Sequence, residues 1–364
     1  MATYKSIKYL TLGDAVEHTD SINALTDVDT NTVAPTDGQT IKWNGTNWVP
    51  SDITEEEASG TQKALFGFGS VSANAYNGVS GTNVTNLVSS SGVLATDTTG
   101  VGTARSNLAA AGYGGDKAIF GFGLASNKTN ITNLVSNAGV VATDTTGVGT
   151  VRTLSAAGFG GDKAIFGFGF TDGGNTNLTN LVSNAGVVAT DTTGVGTALR
   201  GRASASFGGD KAIFGFGQAS SRTNTTNLVS NLGVVASDST GVGTARSNQG
   251  AAGYGGDKAI FNFGYKSIEG EFGVTSITNL VSNTGVVASD TTSVGTSKEL
   301  VAGAGYGNDK AIFGFGTYYE SYRYVFLNTT NLVSNAGVVA SDTTGISGVS
   351  SRFGAAAAGY SSTA

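Results

Sequence analysis

The sequence of 364 residues has no cysteine, one histidine, two prolines and two tryptophans. Each scarcity excludes something. Without cysteine there is no disulfide framework, no thiolate metal site and no cysteine nucleophile, and the redox compartment leaves no mark. His18 is the only histidine, so a histidine-based triad or multi-histidine metal site within one chain is ruled out, and it reads as a surface residue. Two prolines against 56 glycines fit neither collagen nor a Pro-rich disordered tract. No apolar run approaches a membrane span. The N-terminus lacks a basic region followed by an apolar stretch, so neither an anchor nor a signal peptide is expected. Positive charge is also short: 20 Lys and Arg against 26 Asp and Glu give a formal charge of -6. That balance argues against nucleic acid, which would want a basic stripe. Hydrophobic content of 39% is enough for a packed core.

What the chain has in abundance is itself. The stretch Lys-Ala-(Ile/Leu)-Phe-(Gly/Asn)-Phe-Gly begins at Lys63, Lys117, Lys163, Lys211, Lys258 and Lys310, with spacings of 54, 46, 48, 47 and 52 residues. A period of about 50 residues marks a repeat architecture, and a closed array counts as one domain. In the second copy, Ala109–Tyr113 reads as a strand of small side chains. A Gly-Gly turn leads into Lys117–Phe122, a variable loop into Thr132–Ser136, and Ala138-Gly139 into Val140–Thr143. Gly, Thr, Val and Asn are poor helix formers, and turn residues separate every β-rich run, which predicts a four-stranded antiparallel meander. Four short strands per unit is what a β-propeller blade requires. Apolar residues on both faces fit a sheet covered by neighbouring sheets, and Gly121 and Gly123 are expected to allow close approach.

The phase of the repeat selects the architecture. The first copy opens on the second strand at Lys63 with no Ala-rich strand before it, whereas Arg352–Tyr360 is an Ala-rich strand with no second strand after it. The late strand is expected to complete the first sheet, closing a six-bladed propeller without open edges. An open β-solenoid or trimeric β-fibre is the alternative, though a solenoid would rather show atypical caps.

Residues 1–60 differ. Met1–Ala15 alternates weakly and reads as a short strand or helix. Thr40–Pro50 reads as two strands around Asn44-Gly45, a strong hairpin signal, and Glu55–Gly60 reads as a solvated linker. Trp43 and Trp48 are expected either to pair across that hairpin or to anchor an attachment contact.

Two resemblances follow from these residues. Arg105 through Ala111, then Lys117 through Gly123, resemble a kelch-type blade: an Arg before a small-residue strand, then an aliphatic-aromatic strand ending in Gly. The likeness covers residues 61–364, with the double glycine placed before the second strand instead of after it. Ala24–Asp29 with Asp37–Pro50, and the Thr-Asn-Leu-Val-Ser-Asn…Gly-Val-Val-Ala-Thr-Asp-Thr-Thr-Gly repeats, resemble segments of tail-fibre and appendage proteins of marine and cyanobacterial phages. That resemblance implies a virion structural protein, often oligomeric, held in the particle by residues 1–60.

No enzymatic constellation stands out, and no cofactor or metal is expected. Asp116, Asp162, Asp210, Asp257 and Asp309 each precede a core Lys, and Asp97, Asp144, Asp191, Asp238, Asp290 and Asp342 share the Asp-Thr-Thr-Gly position. Arg105, Arg152, Arg246 and Arg352 recur before the inner strand, with Lys298 in one copy and either Arg200 or Arg202 in another. Recurrence once per repeat suggests turn capping or blade-to-blade ion pairs, with a ring of calcium-binding Asp as the sharper alternative. Function is better sought where copies disagree: residues 70–84, 124–131, 170–178, 218–225, 265–277 and 317–329, all expected on one face. Tyr318, Tyr319, Tyr322, Arg323, Tyr324 and Phe326 carry the residue types of binding hot spots, and Tyr265, Phe272 and Tyr76 are expected beside them. The expected partners are other virion proteins, or a glycan or receptor on a host surface. A carbohydrate-binding propeller outside any virion is the second reading.

Overall fold

The computed structural model describes residues 39–43, 46–52, 62–71, 81–268, 271–343 and 347–361. The chain divides into two compact units, Met1–Ala58 and Ser59–Ala364. In the first, Gln39–Trp43 pairs antiparallel with Trp48–Asp52 and Trp43 stands opposite Trp48, the hairpin that Asn44-Gly45 predicts. The expectations for Met1–Ala15, for the linker Glu55–Gly60 and for Tyr76 fall outside the described residues.

The described part of the second unit is all-β, without a helix, and every ladder is antiparallel. In the second copy Ala109–Tyr113 pairs with Lys117–Gly121, which pairs with Thr132–Val135. The same order recurs in the other copies. Turn chemistry explains the first connection. Gly114 and Gly115 both take positive φ, at 65° and 78°, which side chains resist; the sixth copy uses Gly307 and Asn308 there, asparagine being one of the few other residues that tolerates the left-handed region.

The first copy obtains its missing strand from far along the chain. Ala356–Ser361 pairs with Gln62–Gly67, Ala358 opposite Leu65, and Gln62–Gly67 continues to Thr85–Val88.

The expected fourth strand forms only in part. Val135 bridges Val141 and Thr132 bridges Thr145, so three steps on one side face four on the other. One surplus residue interrupts the ladder, as in a bulge. Asn133 fills the gap by donating from Nδ2 to the Ala142 carbonyl at 3.0 Å. Each sheet is therefore three hydrogen-bonded strands plus an outer segment tacked on at two points. Only the fifth copy registers that segment as a short strand, Thr291–Thr292.

Packing links the sheets in cyclic order. The Ala-rich strand 109–113 lies against 153–159, then 203–207, 250–254, 302–306 and 356–361, which returns to 109–113. Aromatic pairs repeat the cycle: Phe68 with Phe120, Phe122 with Phe166, Phe168 with Phe214, Phe216 with Phe261, Phe263 with Phe313, and Phe315 with Phe66, at centroid distances of 5.1 to 5.9 Å. All of these rings are fully buried, each contributing about 1.5–3 kcal/mol of apolar burial.

The two glycines flanking the second phenylalanine have different reasons to be there. A Cβ on Gly121 would sit 2.6 Å from Cζ of Phe166 in the next sheet, so close sheet-to-sheet approach requires its absence. Gly123 instead takes φ 102° and would meet Ser106 and Leu108 of its own repeat, so its need is conformational and not intersheet spacing.

Candidate functional site

The recurring charges form a framework. Arg105 is fully buried: its Nε donates to the Phe122 carbonyl at 2.9 Å, its Nη2 to Asn133 Oδ1 at 2.6 Å, and its guanidinium lies 4.3 Å over Phe68. Asn133 Nδ2 in turn donates to Asp144 at 2.9 Å. Of the two roles expected for Asp144, ion pairing is present, with Arg105 Nη1 at 3.9 Å, but capping of its own turn is not what its oxygens do. Instead they accept from the amide and hydroxyl of Thr103 on the connector before the inner strand. Thr150 with Asp191, Thr197 with Asp238, Thr244 with Asp290 and Thr296 with Asp342 repeat the contact, and Ser350 with Asp97 completes it. Burial pushes the Asp144 carboxyl up, but hydrogen bonds from Thr103 and Asn133 and the charge of Arg105 outweigh it, leaving the group below its ordinary value. These oxygens are engaged within the protein, and among the described residues no three His, Cys, Asp or Glu gather as a metal site would need. Asp116, Asp162, Asp210 and Asp257 each pair with the Lys that follows, Lys117 Nζ lying 2.7 Å from Asp116 Oδ1.

One copy supplies its buried cation from a different position. In the fourth, Leu199 occupies the usual arginine position, and Arg202 enters from three residues further on. Its Nη1 donates to Asn227 Oδ1 at 2.7 Å, its Nη2 to the Phe214 carbonyl at 3.0 Å, and it lies 4.1 Å over Phe168. Burial holds its guanidinium down to about 9, with Asp238 opposing. Arg202 thus takes the buried role, and Arg200 is released for another.

That other role belongs to a tier of bridges at the end where the copies differ. The residue after each Phe-Gly faces one residue of a connector: Ser70 faces Phe353, Leu124 faces Ser106, Phe170 faces Thr153, Gln218 faces Arg200, Tyr265 faces Ser247 and Thr317 faces Glu299. The backbone bonds are alike while the side chains range from serine to arginine, glutamate and phenylalanine. Eight of these twelve residues line one cavity of about 800 Å³ between the sheets: Leu124, Thr153, Phe170, Arg200, Gln218, Tyr265, Glu299 and Phe353.

The sequence-predicted residues divide around this cavity. Tyr265, Phe272 and Tyr324 line it. Thr317–Glu320 and Arg323–Phe326 form a hairpin whose tip, Ser321 and Tyr322, takes positive φ at 48° and 64°, a two-residue turn that matches strand twist. Tyr319 and Tyr324 pair across it at 5.1 Å, and Phe326 stacks on Phe353 at 5.1 Å, tying the hairpin to the tier. Tyr322 at the tip is 95% exposed, and Tyr319, Glu320 and Arg323 are exposed as well, with Tyr318 half-buried. Phe272 is exposed on a second hairpin, Tyr265–Ile268 with Glu271–Val274. Tyr76 falls outside the described residues, and Trp48 is exposed on the hairpin of the first unit.

Sequence reasoning named Arg200 only as a framework candidate and did not single out Lys128 or Arg222. Lys128 and Arg200 both lie over Phe170, at 4.9 and 5.0 Å, and Arg222 lies 4.5 Å over Tyr265 while its Nε donates to Ser247. Glu299 accepts from Asn248 Nδ2 at 2.8 Å, and burial raises its carboxyl, with Asn248 and Arg222 opposing. Aligning the copies on the residue after Phe-Gly and on the residue bridging it would have exposed Phe170, Arg200 and Glu299 as the odd members.

No known protein-family model matches this sequence, and no curated protein shows significant similarity to it.

Proposed function

We propose that residues 61–364 form a six-bladed, kelch-like β-propeller, and that the chain is a non-enzymatic structural protein of a phage virion. In this reading residues 1–60 attach it to neighbouring virion proteins. The variable end of the propeller contacts a host surface or an adjacent virion component. One observation carries the binding part: six near-identical sheets packed in cyclic order hold a single set of dissimilar side chains around one cavity at one end. Loops on a rigid scaffold are the usual place for recognition. The virion assignment is supported by the likeness of the N-terminal segment and of the repeats to phage appendage proteins.

A carbohydrate-binding propeller unconnected with virions remains the second reading, favoured by the exposed aromatic residues Phe272, Tyr319 and Tyr322 among polar neighbours. Deleting residues 1–60 separates the two. A virion part so shortened fails to enter particles, while a free lectin keeps its sugar binding. Replacing Tyr318, Tyr319, Tyr322 and Tyr324 by Ala tests the binding face. Loss of adsorption or assembly is expected, and unchanged adsorption and assembly would count against it.

A further inference from the structure

The chain is acidic overall, with a formal charge of -6, yet its variable-end cavity is lined by Arg200, Arg202 and Arg222 against a single carboxylate, Glu299, while a fourth lining cation, Lys128, is paired with Asp172 at 2.5 Å. Arg202 is consumed by the framework. Among the described residues the Arg200 guanidinium has no hydrogen bond or ion pair, and Arg222 uses only Nε, so both present donor edges to the cavity. The fold does not call for a cation at the Arg200 position, because serine forms the equivalent bridge in two other copies, at Ser106 and Ser247.

Three further features describe what would enter. Phe170 and Tyr265 lie beneath the cations and fix their planes, as cation–π contacts do. Phe272, 67% exposed at the rim, offers uncovered apolar area. Asn107, Gln218 and Asn248 add amide groups. Donor forks for a planar anion, mixed donors and acceptors around a wall, and an apolar platform suit a pyranose bearing a carboxylate. Its C–H face would rest on the aromatic ring and its hydroxyls would meet the amides.

We infer that the cavity between Phe170, Arg200, Arg222 and Phe272 is a binding site for an acidic sugar, with Arg200 and Arg222 receiving the carboxylate. This rests on reading the variable end as a binding face, and it names the ligand class of that face.

The test titrates the full chain with glucuronic, galacturonic and N-acetylneuraminic acids, using saturation-transfer NMR and calorimetry. Glucose, galactose and N-acetylglucosamine are the neutral counterparts, and glucose 6-phosphate and inorganic phosphate the other anions. At least one carboxylated sugar is expected to bind at least tenfold tighter than its neutral counterpart, weakening with salt. Arg200→Gln, Arg222→Gln and Phe272→Ala should each weaken it about tenfold or more, whereas Val140→Ala, exposed at the opposite end of the repeats, should leave it unchanged. Thermal unfolding of each variant checks that the fold persists. Phe272 is exposed, so its variant keeps the test decisive if an arginine variant unfolds. Equal affinity for neutral sugars, equal competition by inorganic phosphate, unchanged affinity in the variants, or no binding of any acidic sugar would each overturn the inference. Adsorption that is still lost in the four-tyrosine variant would then show that the binding face stands with a different ligand.

Discussion

The two ends of the repeat unit obey different rules. At one end the turns are near copies, and six backbone bonds run in a complete cycle. Gly114 donates to Asp162, Gly160 to Asp210, Gly208 to Asp257, Gly255 to Asp309, Gly307 to Gln62 and Ser361 to Asp116, at 2.5 to 2.9 Å. The same end carries one exposed valine per copy, Val93, Val140, Val187, Val234, Val286 and Val338, each 64–66% exposed. At the other end the comparable cycle is incomplete. Asn107 donates to Gly354, Gly354 to Leu300, Leu300 to Asn248 and Asn248 to Gly201, but the third copy has one residue fewer between Arg152 and Phe159 than the second has between Arg105 and Tyr113, and it makes no such bond. Equivalent side chains there have diverged into Arg200, Glu299 and Phe353. A repeated scaffold can thus fix geometry at one end and leave the other free to assemble one asymmetric site.

The comparison can be broken at several points. Removing residues 352–364 takes away the partner of Gln62–Gly67 and the buried Arg352, whose Nη2 donates to Asn86 and whose guanidinium lies 4.1 Å over Phe315. The largest effect is expected here: loss of a single cooperative melting transition, read by calorimetry. Within one repeat, Arg202→Ala should cost about 3–5 kcal/mol in denaturant unfolding because its partners are left buried. Arg200→Ala, two residues away, should stay within about 0.5 kcal/mol. Glycines should divide likewise. Gly167→Ala places a Cβ 2.8 Å from Phe214 and is expected to cost about 1–3 kcal/mol, whereas Gly173→Ala, in a loop with nothing nearer than 3.6 Å, should be close to neutral.

A smaller effect is set by pH. Burial holds the Lys298 ammonium down to about 8, against the attraction of Asp342. Above that value the folded chain releases the proton while the unfolded chain, with an ordinary lysine, still binds it. Stability should therefore rise from pH 8 towards 10, with Arg202, whose guanidinium burial also lowers, adding to the rise from about 9. Above 10 the buried Tyr113, Tyr254 and Tyr360, whose pKa values burial raises, act in the opposite direction. Lys298→Arg, which restores the residue found at this position in four other copies, should flatten the rise in chemical unfolding followed across that range.

Much of this was legible in the sequence. The spacing of Lys63 to Lys310 gave the repeat, and the absence of an Ala-rich strand before Lys63 foretold the pairing of Ala356–Ser361 with Gln62–Gly67. The partial fourth strand was not legible, because a one-residue surplus between Val141 and Thr145 looks like any β-rich run. It shows only once Asn133 is found bonding Ala142. Nor could spacing decide between Arg200 and Arg202, since a side chain can reach the same buried partner from a position three residues away. The tyrosine-rich hairpin drew attention by composition, while Lys128, Arg200 and Arg222 were scattered over 95 residues (128 to 222) and only the fold gathers them.

Closure of the cycle is the claim beneath all of these contrasts, and the lack of native cysteine makes it directly measurable. Gln62 and Ser361 stand opposite each other in the closing sheet, so Gln62→Cys with Ser361→Cys places the only two thiols of the chain within disulfide reach. The account predicts a rapid intrachain disulfide under mild oxidation and a raised melting temperature that reduction reverses. Free thiols that stay unpaired, or that link only separate chains, would contradict it.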